Sequence, residues 1–425
     1  MSEEQPDRKQ SGFKDKTRVG EARERLLDAI APHDRTETVP LRAADGRALA
    51  EEVVAERNVP HYPRAAMDGY AVRAADTFGA SDRSPEVLRS AEEMGPESAV
   101  RVHTGSELPE GADSVVMIEQ VDEFGDDVEV FDAVAEGENV APVGEDVESG
   151  QHLYDPGHRL RPSDLGLLKS VGVDTVEVRE RPTVGVIPTG EELVQSDPDP
   201  GEVVETNGLT VSHYVERWGG RATYRDVVTD DRDALRAAVQ RDLTKDVVVT
   251  TGGSSVGERD LLPEVVADLG EILFHGVALK PGHPVAVGIV EETPVIMLPG
   301  YPVACIVNAV QFLRPALKAV GGLPDEGFPT TDARLDRKIR SEPGVRTFAR
   351  VQLETDADGE REAKRASEDA SSDEPRAKVA TPTRASGSGV LSSVALADGW
   401  VEVPEGREGI PEGETVAVQD WEWSA

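Results

Sequence analysis

A chain of 425 residues is long for a single domain, and at about 100–200 residues per domain it has room for two to four. It carries 82 acidic against 45 basic residues, a formal net charge of -37, with the acid spread along its length. That balance excludes the basic face that nucleic-acid binding needs, since no cluster of Lys and Arg interrupts it.

Residues 1–16 are polar, with none of the apolar stretch of a secretory leader, and read as a disordered tail on a cytoplasmic protein. VGEARERLLDAIAP follows, with Ala22, Leu26, Leu27 and Ile30 at helical spacing. It predicts a helix opening a helical linker domain made of 17–57 and 146–180. The second part of that domain contains PSDLGLLKSVG at 162–172, where Ser163 or Asp164 is the expected N-cap. Between the two parts, 58–145 alternates short apolar runs with Gly and Pro, the pattern of an inserted β-rich domain. Its VPHYPRAAMDGYAV predicts a hairpin turning at Asp68-Gly69, with Met67 and Tyr70 packing. Thr104-Gly105 precedes a Pro-Glu-Gly turn, where the threonine is either a turn residue or a ligand.

From 181 to 327 strand and helix patterns alternate. TVGVIP, DVVVTT, EILFH, PVAVGIV and PVIMLP are the strands; GLTVSHYVERW, RDALRAAVQRDL, LLPEVVADL and YPVACIVNAVQFLRPAL are the helices. Near-continuous Val and Ile predicts a mainly parallel sheet covered on both faces, a three-layer α/β domain. Ligands of such sheets lie beyond the carboxyl ends of the strands. Three turns fall there: PTGEEL, TTGGSSVGERD and LPGYP. In the second, Gly252 and Gly253 allow close backbone approach, and Thr251, Ser254 and Ser255 offer hydroxyls beside helix-N-terminal amides, which suits an anion. The stretch lacks the Gly-Lys-Ser/Thr of a P-loop, and a tight turn with Asp260 as the next helix cap explains it equally well. Either Asp230 or Asp231 should cap RDALRAAVQRDL. Glu192, Asp230 and Asp260 around one phosphate would suit a hard cation such as Mg2+. Lys280, in ALKPGHP, is either a surface lysine or an oxyanion ligand.

The lone Cys305 excludes an intrachain disulfide and reads as a buried helix thiol. None of the 8 His falls at metal-ligand spacing, and no run of 18 apolar residues suggests a membrane span. From 328 to 425, RTFARVQLE, SGSGVLSSVA, WVEVPEG and ETVAVQDW predict a small C-terminal β barrel, interrupted by an acidic loop at 354–375.

Taken in order, AMDGYAV, HTGSELPEGADSVVMIE, GENVAPVGEDV, PTGEEL, VTDD, TTGGSSVGERD, LKPGHPVAVG, LPGYPV and SGSGVLSSVA resemble the molybdopterin molybdenumtransferase family, which includes the E domain of gephyrin. The resemblance spans almost the whole chain and implies insertion of molybdate into adenylylated molybdopterin, with release of AMP. It further implies an elongated homodimer of four-part subunits, with the site between the α/β domain of one subunit and its partner. By the same resemblance Thr104, Glu192, Asp230, Asp260, Lys280, Arg350 and Ser388 fall on functional positions, with Glu192, Asp230 and Asp260 as Mg2+ ligands. Thr251, Gly252, Gly253, Ser254, Ser255, Pro299 and Gly300 would contact the pterin or its phosphate. The chain departs from the family pattern at Pro63, Ala65, Ala141, Gly276, His283 and Tyr301. An adenylyltransferase acting on molybdopterin, or a non-catalytic pterin-binding paralogue, are the alternatives, and molybdate is not distinguished from tungstate.

The charge has its own implication. Only 10 of the 45 basic residues are Lys, and the composition resembles that of halophilic archaeal proteins. Self-repulsion at this charge is screened in molar salt, where the Debye length is about 3 Å, so folding is expected to depend on salt.

Overall fold

The computed structural model describes residues 16–252, 261–355, 378–383 and 388–423. Gly253, Ser254, Ser255 and Asp260, the tail before Lys16 and most of the acidic loop lie outside the described residues. The chain divides into two compact units, one of Glu37–Asp45 with Leu49–Val178 and one of the remainder.

In the first unit six strands form one mixed sheet, in the order Ser114–Met117, Gly69–Val72, Ser98–Val102, Glu86–Ala91, Asp127–Val130 and Val121–Phe124. Tyr70 and Val72 turn into a core with Leu88, Ala99, Val116 and Val128. The expected hairpin at Asp68-Gly69 is absent: Gly69 opens a central strand, opposite Val102 on one side and Met117 on the other. Glycine is needed there for close approach, because a Cβ would lie 1.9 Å from the Val116 carbonyl oxygen. Met67 is exposed rather than packed, whereas Tyr70 is buried and donates its hydroxyl to Glu123 Oε1 at 2.6 Å. Gly69→Ala is expected to cost this unit about 3 kcal/mol or more. Thermal unfolding would register the loss, and an unchanged midpoint would refute it.

The flanking part, expected to be helical, contains the helix Pro162–Ser170 and otherwise short strands, such as Val53–Val54 paired with His152–Tyr154. They enclose a small core around Leu49, Leu160, Leu168 and Val176. Neither expected residue is the cap. Arg161 is the N-cap, Pro162 supplies the first turn, and Asp164 reaches back to accept from the Arg161 amide at 2.9 Å. Burial works to raise the Asp164 pKa, but hydrogen bonds from Arg161 and His158 outweigh it and hold the carboxyl well below the usual carboxylate range.

The second unit holds an α/β domain and a barrel. Strands β1 (Thr183–Pro188), β2 (Arg221–Tyr224), β3 (Val247–Thr251), β4 (Glu271–His275), β5 (Ala286–Val290) and β6 (Thr293–Leu298) form one sheet in the order β2-β1-β3-β6-β5-β4. The first four are parallel; β5 alone is reversed, pairing antiparallel with β6 and with the edge strand β4, which runs in the direction of the first four. The sheet is mainly parallel as expected; β2, only four residues long with none fully buried, is a strand the apolar pattern did not announce. Helices α1 (Asn207–Arg217) and α4 (Pro302–Val320) cover one face, and α2 (Arg232–Asp242) and α3 (Leu261–Leu269) the other. Val184, Val186, Val247 and Val249 enter one core layer while Ile187, Val248, Val295 and Met297 enter the other. Burial of successive residues on opposite faces explains why these strands lack polar alternation.

By length and composition α4 could cross a membrane, yet it is almost wholly buried and is the core helix of this domain. Cys305, on α4, is buried as expected, and burial pushes its thiol pKa up. The helix Val19–Asp28 packs Val19, Ala22 and Leu26 into this same core, not into the first unit.

Five further strands, β7 (Thr330–Leu335), β8 (Arg346–Thr355), β9 (Lys378–Pro382), β10 (Gly399–Val403) and β11 (Thr415–Gln419), close in the order β8-β9-β7-β11-β10, with β10 returning to β8. Leu335, Val351, Ala380, Val401 and Val416 fill this barrel. The short strand Leu279–Lys280, from the connection between β4 and β5, adds to β8 in parallel at Arg346–Thr347.

Candidate active site

The connection leaving β1 leads through α1 to β2 on one side, while β3 lies on the other side of β1. Strand order therefore reverses between β1 and β3, and the crevice beyond their carboxyl ends is where this topology leaves room for a ligand. Pro188 is opposite Thr251 and Thr251 opposite Leu298, so the ends of β1, β3 and β6 lie side by side. The Thr189 amide donates to the Thr251 carbonyl at 3.3 Å, and the Gly252 amide to the Leu298 carbonyl at 3.0 Å. Gly252 has a φ of +126°, and a Cβ on it would lie 2.3 Å from the Thr189 carbonyl oxygen. A Cβ on Gly300 would lie 3.5 Å from the Gly252 Cα. The floor is thus built of backbone packed closely on backbone, which requires glycine at 252.

Three hydroxyls at this end, on Thr189, Thr250 and Thr251, are buried without a hydrogen-bond partner among the described residues. Each such group costs about 1–3 kcal/mol, which a polar ligand at this sheet end would offset. Thr189 escaped the sequence analysis, as did Asn207, whose Nδ2 donates to the Gly300 carbonyl at 2.7 Å and ties the start of α1 to the LPGYP turn. The Asn after a Glu-Thr pair, just where an apolar helix begins, was the available signal.

The acids lie on two adjoining segments. Thr189 pairs with Val228 in a parallel bridge, and the Gly190 amide donates to the Val228 carbonyl at 3.1 Å. The segment with Glu192 therefore runs beside the one leading to Asp230. The aspartate pair divides its work: Asp231 caps α2, its Oδ1 accepting from the amides of Asp233 at 3.1 Å and Ala234 at 2.9 Å. Asp230 is not the cap. Glu192 is exposed, with its carbonyl held by the Val203 amide at 2.8 Å. Hard oxygen donors on neighbouring segments suit a cation such as Mg2+. Among the described residues no three His, Cys, Asp or Glu side chains form a metal-binding group, and Asp260 lies outside them.

Ala286 stands opposite Met297, which brings the 276–285 connection to the same carboxyl edge. Lys280 lies on it, exposed, with Nζ 3.0 Å from Glu342 Oε1. Burial lowers the His283 pKa, and the charges of Lys16 and Lys280 lower it further. The connection thus carries a single lysine, answered by Glu342, beside a histidine shifted toward its neutral form. The Ser388 carbonyl accepts from the Val303 amide at 2.9 Å, so the barrel segment meets the start of α4. Arg350, on β8, donates from Nη2 to Ser393 Oγ at 3.4 Å, and burial lowers its pKa. Thr251, Gly252, Pro299, Gly300, Glu192 and Asp230 thus share the sheet edge, Lys280 and Ser388 adjoin it, and Arg350 is linked to the Ser388 segment through Ser393. Thr104 belongs to the first unit. Its amide and hydroxyl both donate to Asp68 Oδ1, at 2.6 and 2.8 Å, and these bonds lower the Asp68 pKa.

Three family models match the chain in succession: the MoeA N-terminal region (domain I and II) over 17–172, a probable molybdopterin binding domain over 185–319, and the MoeA C-terminal region (domain IV) over 370–421. A putative molybdopterin biosynthesis protein of Methanocaldococcus jannaschii is 34% identical over 93% of this chain and 94% of its own length. The molybdopterin molybdenumtransferase of Bacillus subtilis is 32% identical over 92% of each. The crystal structure of the molybdopterin biosynthesis MoeA protein from Pyrococcus horikoshii superposes with a TM-score of 0.77 at 32% identity, covering 95% of this chain and 99% of that one. With all three regions matched in order and relatives aligned nearly end to end, the chain belongs to the MoeA family of molybdopterin molybdenumtransferases.

Proposed function

We propose that the chain transfers molybdenum from molybdate into adenylylated molybdopterin, releasing AMP and yielding molybdenum cofactor, and that it does so as a homodimer. The carboxyl edge of the α/β sheet carries this reading: a backbone floor at Gly252 and Gly300, with Glu192 and Asp230 on adjoining segments and Lys280 on the next connection.

In this mechanism Thr251, Gly252, Gly253, Ser254, Ser255, Pro299 and Gly300 receive the pterin and its phosphate. Lys280 releases Glu342 and turns its ammonium to the incoming oxyanion; an ion pair exposed on both sides exchanges readily. Arg350 and Ser388 complete the polar contacts to substrate. An oxygen of molybdate or of water attacks the α-phosphorus of the AMP moiety. The bond from that phosphorus to the bridging oxygen breaks, AMP departs with the new oxygen, and molybdopterin keeps its own phosphate. The two dithiolene thiols then take the metal, and their two protons leave with one of its oxygens as water. Glu192, Asp230 and Asp260 would hold a Mg2+ ion, which neutralises phosphate charge.

Purified protein in molar salt, given adenylylated molybdopterin, molybdate and Mg2+, is expected to release AMP. No release, or release indifferent to molybdate, would overturn the reading, and ATP consumption without molybdate would mark adenylyl transfer instead.

A further inference from the structure

We propose that Tyr301 is a stacking wall for a planar heterocycle of the substrate, and so helps to decide what this site accepts. The inference rests on the reading above, that the carboxyl edge of β3 and β6 receives adenylylated molybdopterin.

Tyr301 sits at the N-cap of α4, a position where Ser, Thr, Asp or Asn would satisfy the free amides of the first turn. It makes no side-chain cap hydrogen bond. Nor does it pack as a core aromatic, for the residue is 65% exposed. A large exposed aromatic at a cap position breaks the local preference for a short polar side chain, and such breaks concentrate at functional sites.

The backbone of the residue is nonetheless held. Its backbone carbonyl accepts from the Cys305 amide at 2.8 Å, which fixes it to the first turn of α4. The preceding Gly300 carbonyl is held by Asn207. On one side Gly389 leaves space for it: a Cβ there would lie 3.3 Å from Tyr301 Cδ1 and 3.6 Å from Cε1. The remaining surface is open, directly after the Pro299-Gly300 turn that borders the Gly252 floor.

An exposed phenol ring beside a backbone floor suits a flat ring system, because stacking needs a π face and little else. Adenylylated molybdopterin contains two such systems, the adenine and the pterin. Stacking of either contributes equally to ground state and transition state, so its loss should raise KM and leave kcat nearly unchanged.

Three variants test this in molar salt: Tyr301→Phe, Tyr301→Leu and Tyr301→Asn. The Phe variant should bind adenylylated molybdopterin as the parent does, while Leu and Asn should weaken it by about 5- to 100-fold. Asn restores a good cap, so its melting midpoint should equal or exceed the parent's, which separates lost stacking from misfolding. Titration with AMP alone and with molybdopterin alone then identifies the stacked ring, as the arm whose affinity falls. Unchanged affinity of the Leu and Asn variants in every arm would overturn the proposal. So would a change of molar mass by light scattering in the Leu variant, which would assign the exposed ring to an interchain contact. If the parent protein itself releases no AMP and binds neither probe, the reading of the reaction falls, and this inference with it.

Discussion

Asp230→Ala is expected to lower kcat/KM for AMP release about a hundredfold to a thousandfold, the usual cost of removing one group aimed at charge in the transition state. Asp231→Ala, one residue along, should leave the rate within about threefold and instead remove about 1 kcal/mol of stability, because it deletes the helix cap. The contrast follows from geometry. Asp231 Oδ1 is committed to the amides of Asp233 and Ala234, while Asp230 lies on the segment that runs beside Glu192. Single-turnover AMP release and thermal unfolding on both variants separate the two roles. Full activity in Asp230→Ala, or equal losses in both, would remove Asp230 from the mechanism.

The melting midpoint is expected to climb by on the order of 10 °C between 0.1 M and 2 M NaCl. A net charge of -37 spread over the chain places many carboxylates within about 10 Å of one another's fields, and that is the Debye length at the lower salt. Shrinking the length to about 3 Å or less removes most of the repulsion. A few kcal/mol of relief, at roughly 2–4 °C per kcal/mol, gives the stated rise. Most of the ion pairs run the other way and weaken with salt, but pairs such as Arg25 with Glu21 and Lys169 with Asp174 are exposed and contribute little. A midpoint that stays flat or drops across this range would contradict the reading of the composition.

What could be read from the residues depended on how strongly burial marks them. β1, β3 and β6 were legible because both of their faces are covered, leaving unbroken Val and Ile. β2 was not, because Arg221–Tyr224 is an edge strand whose four side chains remain partly or wholly exposed. Gly69 misled for a chemical reason: Asp-Gly is a good turn pair, and nothing local reveals that a carbonyl from Val116 passes where a side chain would be. The cap of Pro162–Ser170 misled likewise, since Asp164 serves the helix end from its third residue rather than from the cap position. At the candidate site, Asp230 and Asp231 are equally good caps on paper, and only the backbone path assigns the capping to one of them. The hydroxyl of Thr189 carried no pattern, because its significance lies in long-range register rather than in neighbours along the chain, and Asn207 was marked only by its place at the start of an apolar helix.

The pairing of Leu279–Lys280 with Arg346–Thr347 bears on how such a protein can be rearranged. The Arg346 amide also donates to the Ala278 carbonyl at 2.9 Å, so the barrel draws part of its hydrogen bonding from a connection that belongs to another fold. A chimera cut between the two would strip the recipient barrel of an edge and leave the donor's lysine unanchored. Successful grafts should therefore keep the backbone of 278–280 in register with that of 346–347.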